Sequence, residues 1–157
     1  LYTGNPTVGS TITFKGKKWI VAHKSGNNIY VSDSVIESTT TFGDDINYRE
    51  STLASVAASF QSNLALTAAE QNLIPDTTVS GVTAKVFVAD STQINGGWSY
   101  FNSNQHRICN YDGSPYQYWT STWSDDRTVW FVSGIGGLYN NEPTYAYGFR
   151  PSICLPA

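Results

Sequence analysis

Alternation of apolar and polar residues marks the start of the chain. Thr11-Ile12-Thr13-Phe14 and Lys18-Trp19-Ile20-Val21-Ala22 flank Lys15-Gly16-Lys17, and Ile29-Tyr30-Val31-Ser32 follows Gly26-Asn27-Asn28. Period-two runs divided by glycine-bearing turns predict an antiparallel meander with one covered face. Before it, residues 1–10 carry Gly4, Pro6 and Gly9 and read as a linker or opening turn. After it, the polar stretch 39–47 around Gly43 reads as a loop.

Then the period changes. Leu53, Val56, Ala57, Phe60 and Leu64 fall on one helical stripe behind Ser51, which predicts a helix over 51–63 with a serine N-cap. Thr67-Ala68-Ala69-Glu70 has the spacing of a capping box. With Leu73 and Ile74 as its apolar face and Pro75 as its stop, it predicts a second helix over 68–74. Residues 79–84 read as a turn or short strand, and 85–89 as a strand. Residues 95–113, polar but threaded with Trp98, Tyr100, Phe101 and Tyr111, read as a long loop packed by its own aromatics. Strands are expected at 119–123, 129–132 and 152–155, with turns at 124–127 and 134–137.

Composition narrows the classes. A length of 157 residues suits one domain, and 14% aromatic with 13% charged residues is unlike a disordered chain or a coiled coil. The net charge of −3 makes no electrostatic case for nucleic acid. No apolar run nears the roughly 18 residues of a membrane span, so no membrane insertion is expected. Cys109 and Cys154 form neither a zinc nor a redox motif; they read as two buried thiols, one disulfide or, last, a catalytic thiol. His23 reads as a surface or hydrogen-bonded residue, and His106 with Arg107 as a solvated loop face.

Residues 118–157 hold Trp119, Trp123 and Trp130 amid tyrosines and small polar groups. Flat aromatics with short adaptable polar side chains are the composition of a recognition surface. The expected ligand-binding residues are Trp123, Asp125, Asp126, Arg127, Thr128, Phe131, Ser133, Tyr139, Asn140, Asn141, Tyr145 and Tyr147. No catalytic residue is expected: Asp125 and Asp126 are adjacent, which is poor geometry for an acid–base pair, and no nucleophile with a base is visible. Arg150, just before Pro151 and the last strand, reads as a structural arginine rather than an anion clamp.

A family resemblance rests on the order of these features. Trp19 in an early hairpin is followed by Tyr48-x-x-Ser51-Thr52-Leu53, Phe60, Leu64, Glu70, Ile74, the 85–89 strand, Tyr118-Trp119 and Gly148-Phe149-Arg150-Pro151. From about residue 8 to 155 the chain resembles an uncharacterised domain of bacterial and phage surface proteins that ends in a Gly-Val-Arg-Pro-Ala-Leu-like signature. Its C-terminal half is similar to the variable proteins diversified by retroelements. They carry a Tyr-Trp-Ser-Ser-Thr-like strand, here Tyr118-Trp119-Thr120-Ser121-Thr122, and a Gly-x-Arg-Pro-like end. The resemblance implies an α+β, C-type-lectin-like fold: small twisted antiparallel sheets, two helices and long loops. It implies one ligand-binding domain with its variable region at 116–151, and scaffold positions at Trp119, Ser121, Thr122, Trp130, Val132, Gly148 and Arg150. Asp125, Asp126, Thr128, Ser133, Asn140, Asn141, Tyr145 and Tyr147 fit the vocabulary of adenine mutagenesis; Trp123 and Glu142 do not.

The implied function is adhesion, at the tip of a phage tail fibre or on a bacterial surface protein. The partner would be a host cell-surface protein or glycan, and a fibre would allow a homotrimer. The alternatives are a structural domain without its own ligand and, more remotely, an oxidase of the formylglycine-generating kind. Glu142-Pro143-Thr144 and Trp123-Ser124-Asp125 are similar to lectin sugar-binding motifs but stand in reversed order. The carboxylates are too scattered to give calcium its six to eight oxygens. No metal or cofactor is therefore expected.

Overall fold

The meander forms as β1 (Thr11–Phe14), β2 (Lys17–Ser25) and β3 (Asn28–Asp33), all antiparallel. In this computed structural model the described residues are 4–157, so residues 1–3 of the expected linker lie outside them. A bulge between Val21 and His23 shifts the β2–β3 register. Val21 and Ala22 are consecutive yet both fully buried, one in each of two apolar cores. The sheet is therefore covered on both faces, where alternation alone implied one.

After β3 the chain adds β4 (Ser38–Thr41), α1 (Thr52–Asn63), α2 (Ala68–Leu73) and the hairpin β5 (Thr77–Val79) and β6 (Val82–Ala84). Next come β7 (Val86–Phe87), α3 (Asn104–Arg107), β8 (Asn110–Tyr111) and β9 (Ser114–Pro115). The C-terminal part contributes β10 (Tyr118–Trp123), β11 (Val129–Val132), β12 (Leu138–Asn141), β13 (Ala146–Phe149) and β14 (Ser152–Pro156). One sheet has the order β1-β2-β3-β14-β7 and the other β12-β11-β10-β13-β4. Strand pairing is antiparallel except for β10 with β13. This is an α+β fold of small sheets and few helices.

The helices α1 and α2 start where their caps place them. Ser51 Oγ accepts from Ala54 N at 2.9 Å, and Thr67 and Glu70 make the reciprocal capping box. On α1, Leu53 and Ala57 are buried, and Phe60 meets Trp19 and Phe149 edge-on at 6.2 and 5.6 Å. Leu73 departs from expectation and is 55% exposed. The helix ends there, and Ile74 takes extended backbone that turns its side chain alone into the core.

Three other segments differ from their expected form. The head of the 39–47 loop is strand β4, because Ser38–Thr41 finds a remote partner in β13. The 85–89 strand shortens to Val86–Phe87; beyond it Val88 N donates to Tyr48 Oη. The 95–113 loop is entered through a kinked turn at Gln93–Gly97, whose Asn95 and Gly96 leave helical backbone, and holds a 3₁₀ turn at Ser99–Phe101, α3 and β8. Within it His106 stacks on Tyr100 at 4.4 Å and Arg107 donates to the carbonyls of Ile94 and Phe101. These two residues staple the segment together and are not a solvated face. His23 Nδ1 accepts from Ser99 N, so it is hydrogen-bonded. Cys109 and Cys154 are both buried and unpaired.

Arg150 stands where the chain passes from β13 to β14. It is 3% exposed, donates from Nε to Asp33 O at 2.8 Å and from Nη1 to Tyr118 Oη at 3.0 Å, and lies over the Phe101 and Tyr118 rings. It ties the two sheets together.

Beside it, Asp33 is a buried carboxyl. Oδ1 accepts from Val35 N at 3.1 Å, whereas no donor among the described residues reaches Oδ2. Burial first, and then the neighbouring Glu37 carboxyl, push Asp33 up to about 8. Burial also raises Glu37, but the hydrogen bonds with Asp33 and with Lys17 (3.0 Å) outweigh it and hold Glu37 below its ordinary value. The coupling thus favours one shared proton between the two carboxyls, with Asp33 pushed towards its protonated form and Glu37 towards its ionised one. Because the folded value lies above the unfolded one of about 3.9, the associated stability is complete below about pH 4 and is lost as pH rises through 8. Asp33→Asn keeps the Val35 acceptor and offers Glu37 a permanent N–H. Its melting temperature should exceed that of the parent at pH 8 and vary less between pH 4 and 8. A melting-temperature series over that range checks this; a variant less stable at pH 8 refutes the shared proton.

Candidate recognition face

Residues paired across antiparallel strands point to the same face. Register aligns Trp119 with Phe131 and Phe131 with Tyr139; past an irregularity in β10 between Trp119 and Trp123, it aligns Trp123 with Val129 and Val129 with Asn141. Six side chains of β10, β11 and β12 therefore share one face. From β13, Tyr147 inserts between Trp119 and Phe131, at 4.7 and 4.5 Å between centroids. Tyr145, two residues earlier, stacks on Tyr147 at 6.2 Å. The result is an aromatic ladder with a buried foot and an open top.

Exposure divides that ladder. Trp123, Tyr139 and Tyr145 are 58%, 53% and 51% exposed, whereas Tyr147 is 8% exposed. Tyr147 is therefore corrected from contact residue to support: rings cover it, and its Oη accepts from Asn141 Nδ2 at 2.7 Å. Phe131 is half-buried and fills the gap between Tyr147 and Tyr139.

The polar candidates separate as well. Asp125 is exposed, but its Oδ1 accepts from Arg127 N, Thr128 N and Thr128 Oγ1, so it builds the β10–β11 turn. The bonds from Arg127 and Thr128 hold its carboxyl below the ordinary value. Thr128 is taken up in that network and in a hydroxyl contact with Ser124. Ser133 closes the β11–β12 turn, accepting at Oγ from Gly137 N and donating from its own N to Gly137 O. Asn140 is exposed but pairs with Trp130, on the opposite face from Tyr139. Asp126 and Arg127 remain at the turn tip.

Two grooves adjoin the face. One, about 510 Å³, is lined by Trp123 and Thr122 of β10, by Asn47 and by Ser80 from the β5–β6 turn. The other, about 330 Å³, joins Asp126 and Arg127 to Asp44, Asp45, Glu142 and Thr144. Ile46 belongs to both. Asn47, Ser80, Asp44 and Asp45 were not expected here. The one local signal was the Ser80-Gly81 turn, where both residues take positive φ (48° and 81°), marking a tight hairpin tip. A third cavity, about 300 Å³, lies by Trp130 and Leu138, away from the aromatic ladder.

Among the described residues, no three His, Cys, Asp or Glu side chains are grouped to hold a metal ion. No described helix is long and apolar enough to cross a membrane. Compared with protein-family models, with curated proteins and with solved structures, the chain matches none.

Proposed function

We propose that this chain is a ligand-binding adhesion module with a C-type-lectin-like fold, the host-recognition tip of a phage tail fibre or a domain of a bacterial surface protein. Its partner is a host cell-surface protein or glycan, and no catalytic step is assigned to it. The observation that carries the reading is the aromatic face: Trp123, Tyr139 and Tyr145 are each more than half exposed, and Trp119, Phe131 and Tyr147 support Tyr139 and Tyr145 from beneath. Holding large aromatics in water sacrifices burial, and rigid aromatics presented to solvent lose little entropy when a partner covers them. Retroelement diversification would act on exposed positions such as Asp126, Asn140 and Tyr145, leaving the ladder's foot unchanged. The alternative, a domain without its own ligand, draws on the internal hydrogen bonds of Asp125, Thr128 and Ser133.

A triple variant, Trp123→Ala with Tyr139→Ala and Tyr145→Ala, separates the two readings. Loss of a central aromatic anchor costs about 2 kcal/mol or more, so adsorption to host cells should weaken at least about thirtyfold. Thermal unfolding of the variant should stay close to the parent's. Unchanged adsorption by a folded variant favours the structural domain.

A further inference from the structure

We infer that the groove beside Trp123 is a subsite for a neutral saccharide, and that the adjoining acidic groove excludes anionic ones. This rests on the recognition reading above and narrows the ligand class. The groove is walled by a largely exposed indole, by the apolar surfaces of Ile46 and Tyr48, and by the uncharged polar residues Asn47, Ser80 and Thr122. A pyranose ring has the matching surface: a flat C–H face for the indole and a rim of hydroxyls for the polar groups.

Each polar group is held by one internal bond and keeps capacity to spare. Asn47 Oδ1 accepts from Arg49 N at 3.1 Å, and its Nδ2 has no protein acceptor among the described residues. Thr122 Oγ1 accepts from Ser91 N at 3.0 Å, which leaves its O–H to donate. Ser80 Oγ shares one hydrogen bond with Ser121 Oγ at 2.8 Å and can make another. A purely apolar ligand would strip these groups of water without replacing its hydrogen bonds, which is unfavourable. Among the described residues no charged side chain lines this groove, so none of them there can pair a charged ligand.

Charge enters only past Ile46. There Asp44, Asp45, Asp126 and Glu142 line one cavity with Arg127, which carries the one positive charge among the lining residues. An oligosaccharide seated on Trp123 and extending that way meets a negative field, which repels sialic acid, uronic acid or sulfate. The aromatic ladder supplies contacts on the other side of Trp123, so the subsite is one part of a wider face.

The test uses the purified chain against immobilised neutral oligosaccharides, hexose- and N-acetylhexosamine-terminated, beside their sialylated and sulfated counterparts. At least one neutral member should bind saturably, and its charged counterpart at least tenfold more weakly. Trp123→Ala should lose at least tenfold with unchanged thermal unfolding, and Ser80→Tyr, filling the groove from the opposite turn, should also lose at least tenfold, with a lower melting temperature because Ser80 takes φ of 48° and bonds the buried Ser121 hydroxyl. Asp44→Asn with Asp45→Asn should restore binding of the sialylated counterpart. The subsite is refuted if no neutral saccharide binds, if charged and neutral members bind alike, or if both groove variants bind as the parent does. Cell adsorption separates this failure from that of the wider reading. If no saccharide binds but adsorption still depends on Tyr139 and Tyr145, the partner is a protein and recognition stands. If adsorption ignores all three aromatics, recognition itself fails.

Discussion

Trp119→Ala should destabilise the protein by about 3–5 kcal/mol, the usual cost of truncating a buried large aromatic. Trp119 is 1% exposed, meets Phe42 edge-on at 5.7 Å and Phe131 at 6.3 Å, and lies against Tyr147. Its Nε1 donates to Thr40 O at 3.0 Å, so truncation also removes the donor to a carbonyl of β4. At this chain length the loss corresponds to about 6–20 °C in melting temperature. Ligand binding should fall with it, because Tyr147 and Phe131 rest on this ring and carry Tyr145 and Tyr139 above them. Trp123→Ala, four residues on, should move stability by only about 0.5 kcal/mol, as exposed positions usually do. Denaturant titration of the two variants decides the matter. A loss below about 1 kcal/mol for Trp119→Ala would show that the ladder has no rigid foot.

Gly136→Ala should cost about 2–4 kcal/mol, combining backbone strain with forced displacement of packed atoms. Gly136 has φ of +87°, and a Cβ built on it would sit 1.9 Å from Asn104 O and 2.9 Å from Asn104 Cα. Those are backbone atoms at the start of α3, held by the Ser103 cap and the Arg107 bonds, so they cannot swing aside as a flexible side chain would. Gly134→Ala is the control. Its nearest neighbour, Pro115 O, would lie 3.7 Å from the new carbon, an ordinary contact, so the change should stay within about 0.5 kcal/mol. Equal melting temperatures for the two variants would contradict the seating of the β11–β12 turn against α3.

Local chemistry was legible in the chain. The β1–β3 meander, the Ser51 cap, the Thr67–Glu70 capping box and the β10–β11 hairpin each depend on residues close in sequence, and each formed where the spacing places it. The structural role of Arg150 was also legible, since a guanidinium beside a closing strand and many aromatics finds carbonyls and rings before it finds solvent. Which aromatics stay in water was not. Tyr145 and Tyr147 are the same residue type two positions apart on one face, and only Tyr147 lies between Trp119 and Phe131. Asn140 and Asn141 are identical neighbours, and strand pleat sends them to opposite faces. The strand at Ser38–Thr41 and the place of Asn47 in the groove wall have no local signature, and the Ser80-Gly81 turn marks a hairpin tip without showing that it meets Trp123, because each contact exists only through partners brought from far along the chain. Sequence fixes what a residue can do within a turn or a cap. Burial, face and charge environment are set by long-range pairing, and that pairing determines which side chains remain free to meet a ligand.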